Sequence, residues 1–230
     1  MVTIAVVIPW RDSGDPHRRR NAEHVAGYYR HLDVGPVIIS GDGADEGPFN
    51  RHRAYNRGYV QASTDVVLWN EADTLIPRAQ IEQAADLAMQ TPGLVLPYDQ
   101  RYELDPRGAR LVWAGVDPFT CESTERVWAP RASIGQAGIT SRTTMQAIGG
   151  RWPEQFAGWG YDDDAMVHVF ATLAGPTRWV AGRGVHLWHP LAYQQQTPEQ
   201  RAATERNERT CRELVSLDAG GLRAALTPAP

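Results

Sequence analysis

Asp65-Val-Val-Leu-Trp-Asn-Glu-Ala-Asp73 is the stretch on which the fold turns. Val66 to Asn70 form a short apolar run of strand length, and it ends on two acids separated by Ala72. Acids that close a buried strand must be solvated or liganded. The carboxyl ends of strands are also where open α/β sheets bind ligands. Glu71 and Asp73 are hard oxygen donors of the kind that suit Mg2+ or Mn2+. They can share one ion if one acid binds it directly and the other through water.

Strand and helix signals alternate on both sides of this run. Upstream lie a β-rich run at Ile4–Ile8, a helical spacing of Ala22, Val25, Tyr29 and Leu32, and a short strand at Val37–Ser40. Gly41 to Pro48 is a loop by its turn residues, and Asn50 to Ala62 is a helix with Ala54, Tyr55, Gly58 and Tyr59 on one side. Downstream, Arg78–Gln90 reads as a helix and Leu94–Tyr98 as a strand. The expectation is an α/β fold with an open, mostly parallel central sheet flanked by helices. Asp99 to Gln136 holds strand-like pieces such as Arg110–Trp113 among prolines and glycines, and predicts a small antiparallel insertion or a mobile loop. Ile139–Ser141 returns to strand, Thr143–Ile148 is a short helix, Ala165–Leu173 is helical, and Val180–Trp188 is strand-like. Thr197 and Pro198 open a last helix as cap and first residue. Its Glu205/Arg209 and Glu208/Arg212 pairs predict a mostly solvated surface. One domain is expected over residues 1–216, with 217–230 as a loose tail.

Composition narrows the function classes. A formal net charge of −4 over 230 residues leaves no electrostatic footprint of a nucleic-acid binder. All 23 basic residues are arginine, so no lysine can form a Schiff base. No stretch approaches the ~18 apolar residues of a membrane span. The first residues lack a basic n-region and a cleavage site, and read as a buried strand and not a signal peptide. Cys121 and Cys211 are too few for a disulfide framework, which fits a reducing, cytoplasmic setting.

The second chemical segment is Phe156-Ala-Gly-Trp-Gly-Tyr-Asp-Asp-Asp164. Two glycines around Trp159 give an adaptable turn with a flat face for a sugar-sized molecule, and three acids able to take a proton follow. A plain helix start, with Asp162 as N-cap and its neighbours favoured by the helix dipole, is the competing reading. His186 and His189 stand three apart in a strand-like run. Along an ideal strand they would face opposite sides, so a shared metal needs the chain to turn between them. An imidazole beside the carboxylates would favour Mn2+ over Mg2+. Arg11, Arg51 and Arg57 are candidate phosphate partners. No Walker loop and no G-x-G-x-x-G is present, and no H-E-x-x-H zinc cluster.

Taken in order, Pro9-Trp-Arg-Asp12, Phe49-Asn-Arg51 with Asn56-Arg-Gly58, Glu71-Ala-Asp73, Gly149-Gly150, Gly158-Trp-Gly160-Tyr-Asp-Asp-Asp164 and His186 form a series. It resembles the GT-A glycosyltransferases, most closely the β-1,4-galactosyltransferase-like group and its bacterial and phage relatives, over roughly residues 3 to 190. The resemblance implies a single GT-A domain that moves a sugar from a nucleotide-diphosphate sugar, a UDP-sugar in the group's pattern, to an acceptor hydroxyl. It places Pro9, Trp10, Arg11, Asp12, Arg51, Asn56 and Glu71 in the nucleotide pocket. Asp73 with Glu71, and His186 or His189, would hold Mn2+ or Mg2+ on the diphosphate. Trp159, Gly160 and Tyr161 would contact the acceptor or sugar, Asp162 would orient a sugar, and Asp163 would be the base of an inverting transfer. The acceptor class stays open between glycan, protein, small molecule and modified base. Three departures stand out: Glu71 replaces the first Asp of D-x-D, Tyr161 replaces a glycine, and the metal histidine can align with either His186 or His189. The competing functions are an inactive carbohydrate-binding scaffold on the same fold and a nucleotidyltransferase.

Overall fold

The computed structural model describes residues 2–132, 134–190 and 197–226. The first half builds β1 (Ile4–Pro9), α1 (Pro16–Leu32), β2 (Val37–Ser40), α2 (Arg51–Gln61) and β3 (Val66–Asn70). Every residue of β1 and β3 is buried, as their continuous apolar runs require. Asp15 caps α1 by accepting from the His17 and Arg18 amides, and Asn50 caps α2 through the Arg53 amide. The chain continues through β4 (Thr74–Leu75), α3 (Arg78–Gln90), β5 (Val95–Leu96), β6 (Gln100–Leu104), α4 (Pro106–Trp113) and β7 (Thr124–Val127). The last part holds β8 (Ala137–Ser141), α5 (Arg142–Ala147), α6 (Asp162–Leu173), β9 (Arg178–Trp179), β10 (Arg183–His186), α7 (Pro198–Val215) and α8 (Ala219–Leu226).

The main sheet has the order β2-β1-β3-β8-β5-β9. Three of its five pairings are parallel, in keeping with the mostly parallel expectation. β1 pairs parallel with β2 and β3, and β5 pairs parallel with β9, but β8 runs antiparallel to both β3 and β5. The reason lies in the register. β8 begins with Ala137 opposite Asn70, the last residue of β3. A chain returning from the 99–136 excursion therefore enters at the carboxyl end of β3 and must run the other way.

A second sheet, β4-β10-β6-β7, holds the expected antiparallel insertion as the β6/β7 pair. The stretch Arg110–Trp113 is helical and not a strand. Asp105 accepts the Gly108 amide at 2.6 Å and Pro106 occupies the first turn, so a capped helix start outweighs the β-like composition. The terminal segment expected to be loose carries α8, with Leu222 fully buried, while residues 227–230 lie outside the described residues. α7 opens on a Thr197/Gln200 capping box, and its Glu208–Arg212 pair forms. One face is less solvated than its composition suggests, since Ala203, Asn207, Cys211 and Leu214 are buried. That face packs on α6.

Candidate functional site

The turn after β3 is built by Asn70. Its side-chain amide donates to the Glu71 carbonyl at 2.7 Å and the Thr74 carbonyl at 2.9 Å, while its oxygen accepts the Tyr29 hydroxyl at 2.7 Å. The Glu71 amide donates to the Gln136 carbonyl at 2.8 Å. Pinned on both sides, the turn sends its two acids in different directions. Glu71 joins Arg51, and Asp73 joins the histidines.

Asp73, His186 and His189 offer ligand atoms that all lie within 4.8 Å of one another. β10 ends at His186, and the Leu187 amide then donates to the Asp73 carbonyl at 2.8 Å. The chain leaves the strand there, which brings His189 back to the same carboxylate. His186 Nε2 lies 3.5 Å from Asp73 Oδ1, and His189 Nε2 lies 3.1 Å from Oδ2. Both histidines therefore belong to the cluster. Burial pushes His186 down to about 3, so its imidazole is neutral near pH 7 with a lone pair to give. Burial would raise the Asp73 carboxyl, but the two imidazoles and Arg18 outweigh it and keep it ionised. His189 Nδ1 sits 2.9 Å from the Pro190 carbonyl, which can only accept, so that nitrogen carries the proton. One carboxylate and two imidazoles fit Mn2+ or a similar ion better than Mg2+.

Arg51, the first residue of α2, is the hub of the other half. Its Nη1 pairs with Glu71 Oε1, its Nε donates to Asp162 Oδ2 at 3.1 Å, and its Nη2 donates to Asp163 Oδ1 at 2.6 Å. Burial alone would lower the guanidinium, yet Asp162 and Asp163 outweigh it and hold the charge. Asp163 is raised: withdrawal from water exceeds the pull of Arg51, and the Asp162 charge adds to the shift. A Cβ on Gly135 would meet Asp163 Oδ2 at 2.4 Å, so a side chain there would push the carboxylate aside. Asp162 is turned inward, 6% exposed, with His52 Nε2 at 3.7 Å. The residue at the helix cap is Tyr161, which gives no side-chain cap, so Asp162 anchors Arg51 and does not act as N-cap.

The other candidates fall around this centre. Pro9 ends β1 beside Ser40, and the Trp10 amide donates to the Ser40 carbonyl at 2.9 Å. Arg11 grips the 41–48 loop, donating to the Ala44 carbonyl at 3.1 Å and pairing with buried Asp42. Asp12 pairs with Arg19 at 2.7 Å on the surface. Arg57 lies against Gly43. Asn56 is committed to structure: its amide group exchanges hydrogen bonds with the Trp152 backbone and donates to Glu154. The Gly158–Tyr161 loop has positive φ at Gly158 (78°), Gly160 (98°) and Tyr161 (69°), and Trp159 stands half exposed on it. Its shape comes from a residue the sequence pattern did not mark. Asn207 of α7, 2% exposed, accepts the Ala157 amide at 3.2 Å and donates to the Ala157 and Gly160 carbonyls. The signal was an asparagine on the buried stripe of an otherwise charged helix. Arg18, His52 and Gln136 were also unmarked, and nothing in their local sequence distinguishes them.

No protein-family model matches the chain, and no curated protein matches it. Solved structures do. Drosophila β-1,4-galactosyltransferase 7, crystallised with manganese, UDP-Gal and xylobiose, superposes with a TM-score of 0.52 at 15% identity. The match covers 88% of this chain and 79% of that one. Glucosyl-3-phosphoglycerate synthase from Mycobacterium tuberculosis, in complex with Mn2+, UDP and phosphoglyceric acid, gives a TM-score of 0.50 at 13% identity. That match covers 94% of this chain and 79% of that one. The fold is that of GT-A glycosyltransferases. Among the described residues, no helix is long and apolar enough to cross a membrane.

Proposed function

We propose that this chain is a metal-dependent glycosyltransferase that moves a sugar from a UDP-sugar to an acceptor hydroxyl with inversion. The observation that carries the reading is the pairing of two half-sites across the E-x-D turn. Asp73, His186 and His189 converge on one side, and Asp163 is held by Arg51 on the other. A divalent cation bound by the first group would neutralise the leaving diphosphate. Asp163 is the general base: it takes the proton of the acceptor hydroxyl, whose oxygen then attacks the anomeric carbon from the face opposite the diphosphate. Its raised pKa improves it as a proton acceptor, and general-base catalysis contributes about 10²–10⁴-fold in rate. Arg51 holds the carboxylate in place, and Asp162 and Glu71 hold Arg51. The strand-end segment Pro9–Asp12 borders the nucleotide, and Trp159 with Gly160 and Tyr161 offers an exposed face to the acceptor. The acceptor is a glycan, a protein side chain, a small molecule or a modified base. Two buried free cysteines fit a reducing, cytoplasmic compartment.

The support is a GT-A fold, seen in the two solved enzymes with bound UDP or UDP-Gal and manganese, together with this geometry. The test is a panel of UDP- and GDP-sugars incubated with Mn2+ or with chelator, reading nucleotide release. Mn2+-dependent release of UDP from one donor is expected. Sugar binding without release would favour an inactive scaffold, and release of pyrophosphate from a nucleoside triphosphate would favour a nucleotidyltransferase.

A further inference from the structure

Beneath Asp163 the structure holds a cavity of about 40 Å3, bordered by Arg51, Tyr55, Trp69, Gln136, Trp152 and Asp163. One water needs about 10–15 Å3, so the space accepts a hydroxyl or hydroxymethyl group but no whole sugar. Gln136 is 3% exposed, and neither its Oε1 nor its Nε2 finds a hydrogen-bond partner. Trp152 Nε1, on the same cavity, is likewise unpartnered. Buried polar groups are almost always satisfied, and an orphaned amide is costly unless something else completes it.

The backbone at Gln136 is as unusual as its side chain. Its φ of 82° lies in the left-handed region that a non-glycine residue rarely adopts. Its carbonyl accepts the Glu71 amide, while the preceding Gly135 lies against Asp163. Backbone held in such a conformation, ending in an unsatisfied buried amide, belongs to the kind of strain that collects at ligand sites. The amide offers both a donor group, NH2, and an acceptor oxygen, and a single hydroxyl can answer one hydrogen bond from each.

We propose that Gln136 reads a hydroxyl of the pyranose handled at this site, through the cavity beneath Asp163, and so sets sugar specificity. The assignment deepens the glycosyltransferase reading and rests on it. The hydroxyl belongs either to the transferred sugar or to the acceptor, and the two are separable by titration. In the first arm, Mn2+ with UDP, UDP-glucose, UDP-galactose and UDP-N-acetylglucosamine are compared by calorimetry. In the second, UDP and Mn2+ are held saturating and methyl glycosides of the same sugars are added.

Wild-type protein should bind one sugar in one arm more tightly than its epimer. Gln136→Met, which keeps the bulk and removes the amide, should weaken that sugar by about three- to tenfold and leave UDP affinity unchanged. Gln136→Asn should recover part of the loss. Gln136→Gly suits the φ of 82° and serves as a second amide-free variant should Met disturb folding, with the same loss expected. Unchanged sugar discrimination in both arms for the amide-free variants overturns the assignment. Failure of wild-type protein to bind UDP in the presence of Mn2+ strikes the underlying reading instead, and is recognisable because no sugar enters that measurement.

Discussion

Asp163→Asn separates chemistry from architecture at this site. Asp163 Oδ1 accepts from Arg51 Nη2 at 2.6 Å, and the side chain is 44% exposed. An ion pair open to water to that extent contributes about 0–1 kcal/mol. Removing its charge also relieves repulsion from Asp162 and Asp164, which offsets part of the loss. The variant should therefore keep its melting temperature within a few degrees and retain UDP-sugar affinity, because the amide preserves size and one acceptor. Turnover should fall about 10²–10⁴-fold, since an amide takes no proton at neutral pH. UDP release under saturating donor and Mn2+ gives kcat, and calorimetric titration gives affinity. A pH profile adds a second readout. The wild-type acid limb should lie above the usual carboxylate range, because partial withdrawal from water and the neighbouring Asp162 and Asp164 charges raise Asp163, and activity should rise as that carboxyl ionises. That limb should vanish in the variant. Asp162→Asn and Asp164→Asn are the comparison, with Asp162 acting through Arg51 and Asp164 acting on the Cys211 side of α6. Near-wild-type turnover in Asp163→Asn, with the loss appearing in either neighbour, would show that the base lies elsewhere in the acidic segment.

Asp73→Ala should abolish Mn2+ binding measured with UDP present, since it removes the carboxylate of the Asp73–His186–His189 cluster; unchanged affinity would refute the site. Glu71→Asp should leave that affinity intact, because Glu71 sits on Arg51 and outside the cluster. Thermal shifts with UDP, GDP, CDP and ADP should rank UDP first, with about 2.7 kcal/mol of stabilisation at a hundredfold excess over Kd, and a larger shift with GDP would overturn the uridine preference. His52 is held down to about 4 by burial, so the unfolded chain takes up its proton first as pH falls. Its contribution to stability is full above about 6.5 and is lost on acidification toward 4, by about 3 kcal/mol. In His52→Gln this part of the acid slope should disappear, and an unaltered slope would place the titration on another group.

Strand runs such as Val66–Asn70 were legible because burial on both faces leaves a continuous apolar signature. Helix α3 was legible to the residue, and so was the Thr197 cap. What the local pattern left unread was whatever depends on non-local return. The direction of β8 is set by where the 99–136 excursion re-enters the sheet, which no local pattern encodes. α4 was missed because Leu-Val-Trp looks like a strand until Asp105 and Pro106 are weighed as a helix start. The same division holds at the site. Residue types announced themselves at Asp73, Asp163 and the two histidines, but partnerships did not. Gln136 and Asn207 act through burial and position, and neither carries a motif.

The partnership of Arg51 changes the meaning of the acidic motif. An E-x-D sequence suggests two ligands for one ion, yet the turn fixed by Asn70 divides the pair. Asp73 goes to the imidazoles of His186 and His189, while Glu71 goes to a guanidinium shared with Asp162 and Asp163. Glutamate is the longer acid, and at this position it has an arginine to reach. Its substitution for the commoner Asp is therefore no sign of lost activity. Three carboxylates around one buried guanidinium leave net negative charge beside the cation cluster, and that imbalance is most favourable when a divalent ion is bound next door. Both halves of the site are thus joined through one short turn. Displacement of Asn70 would disturb metal binding and base placement together, whereas the single acids report on one half each.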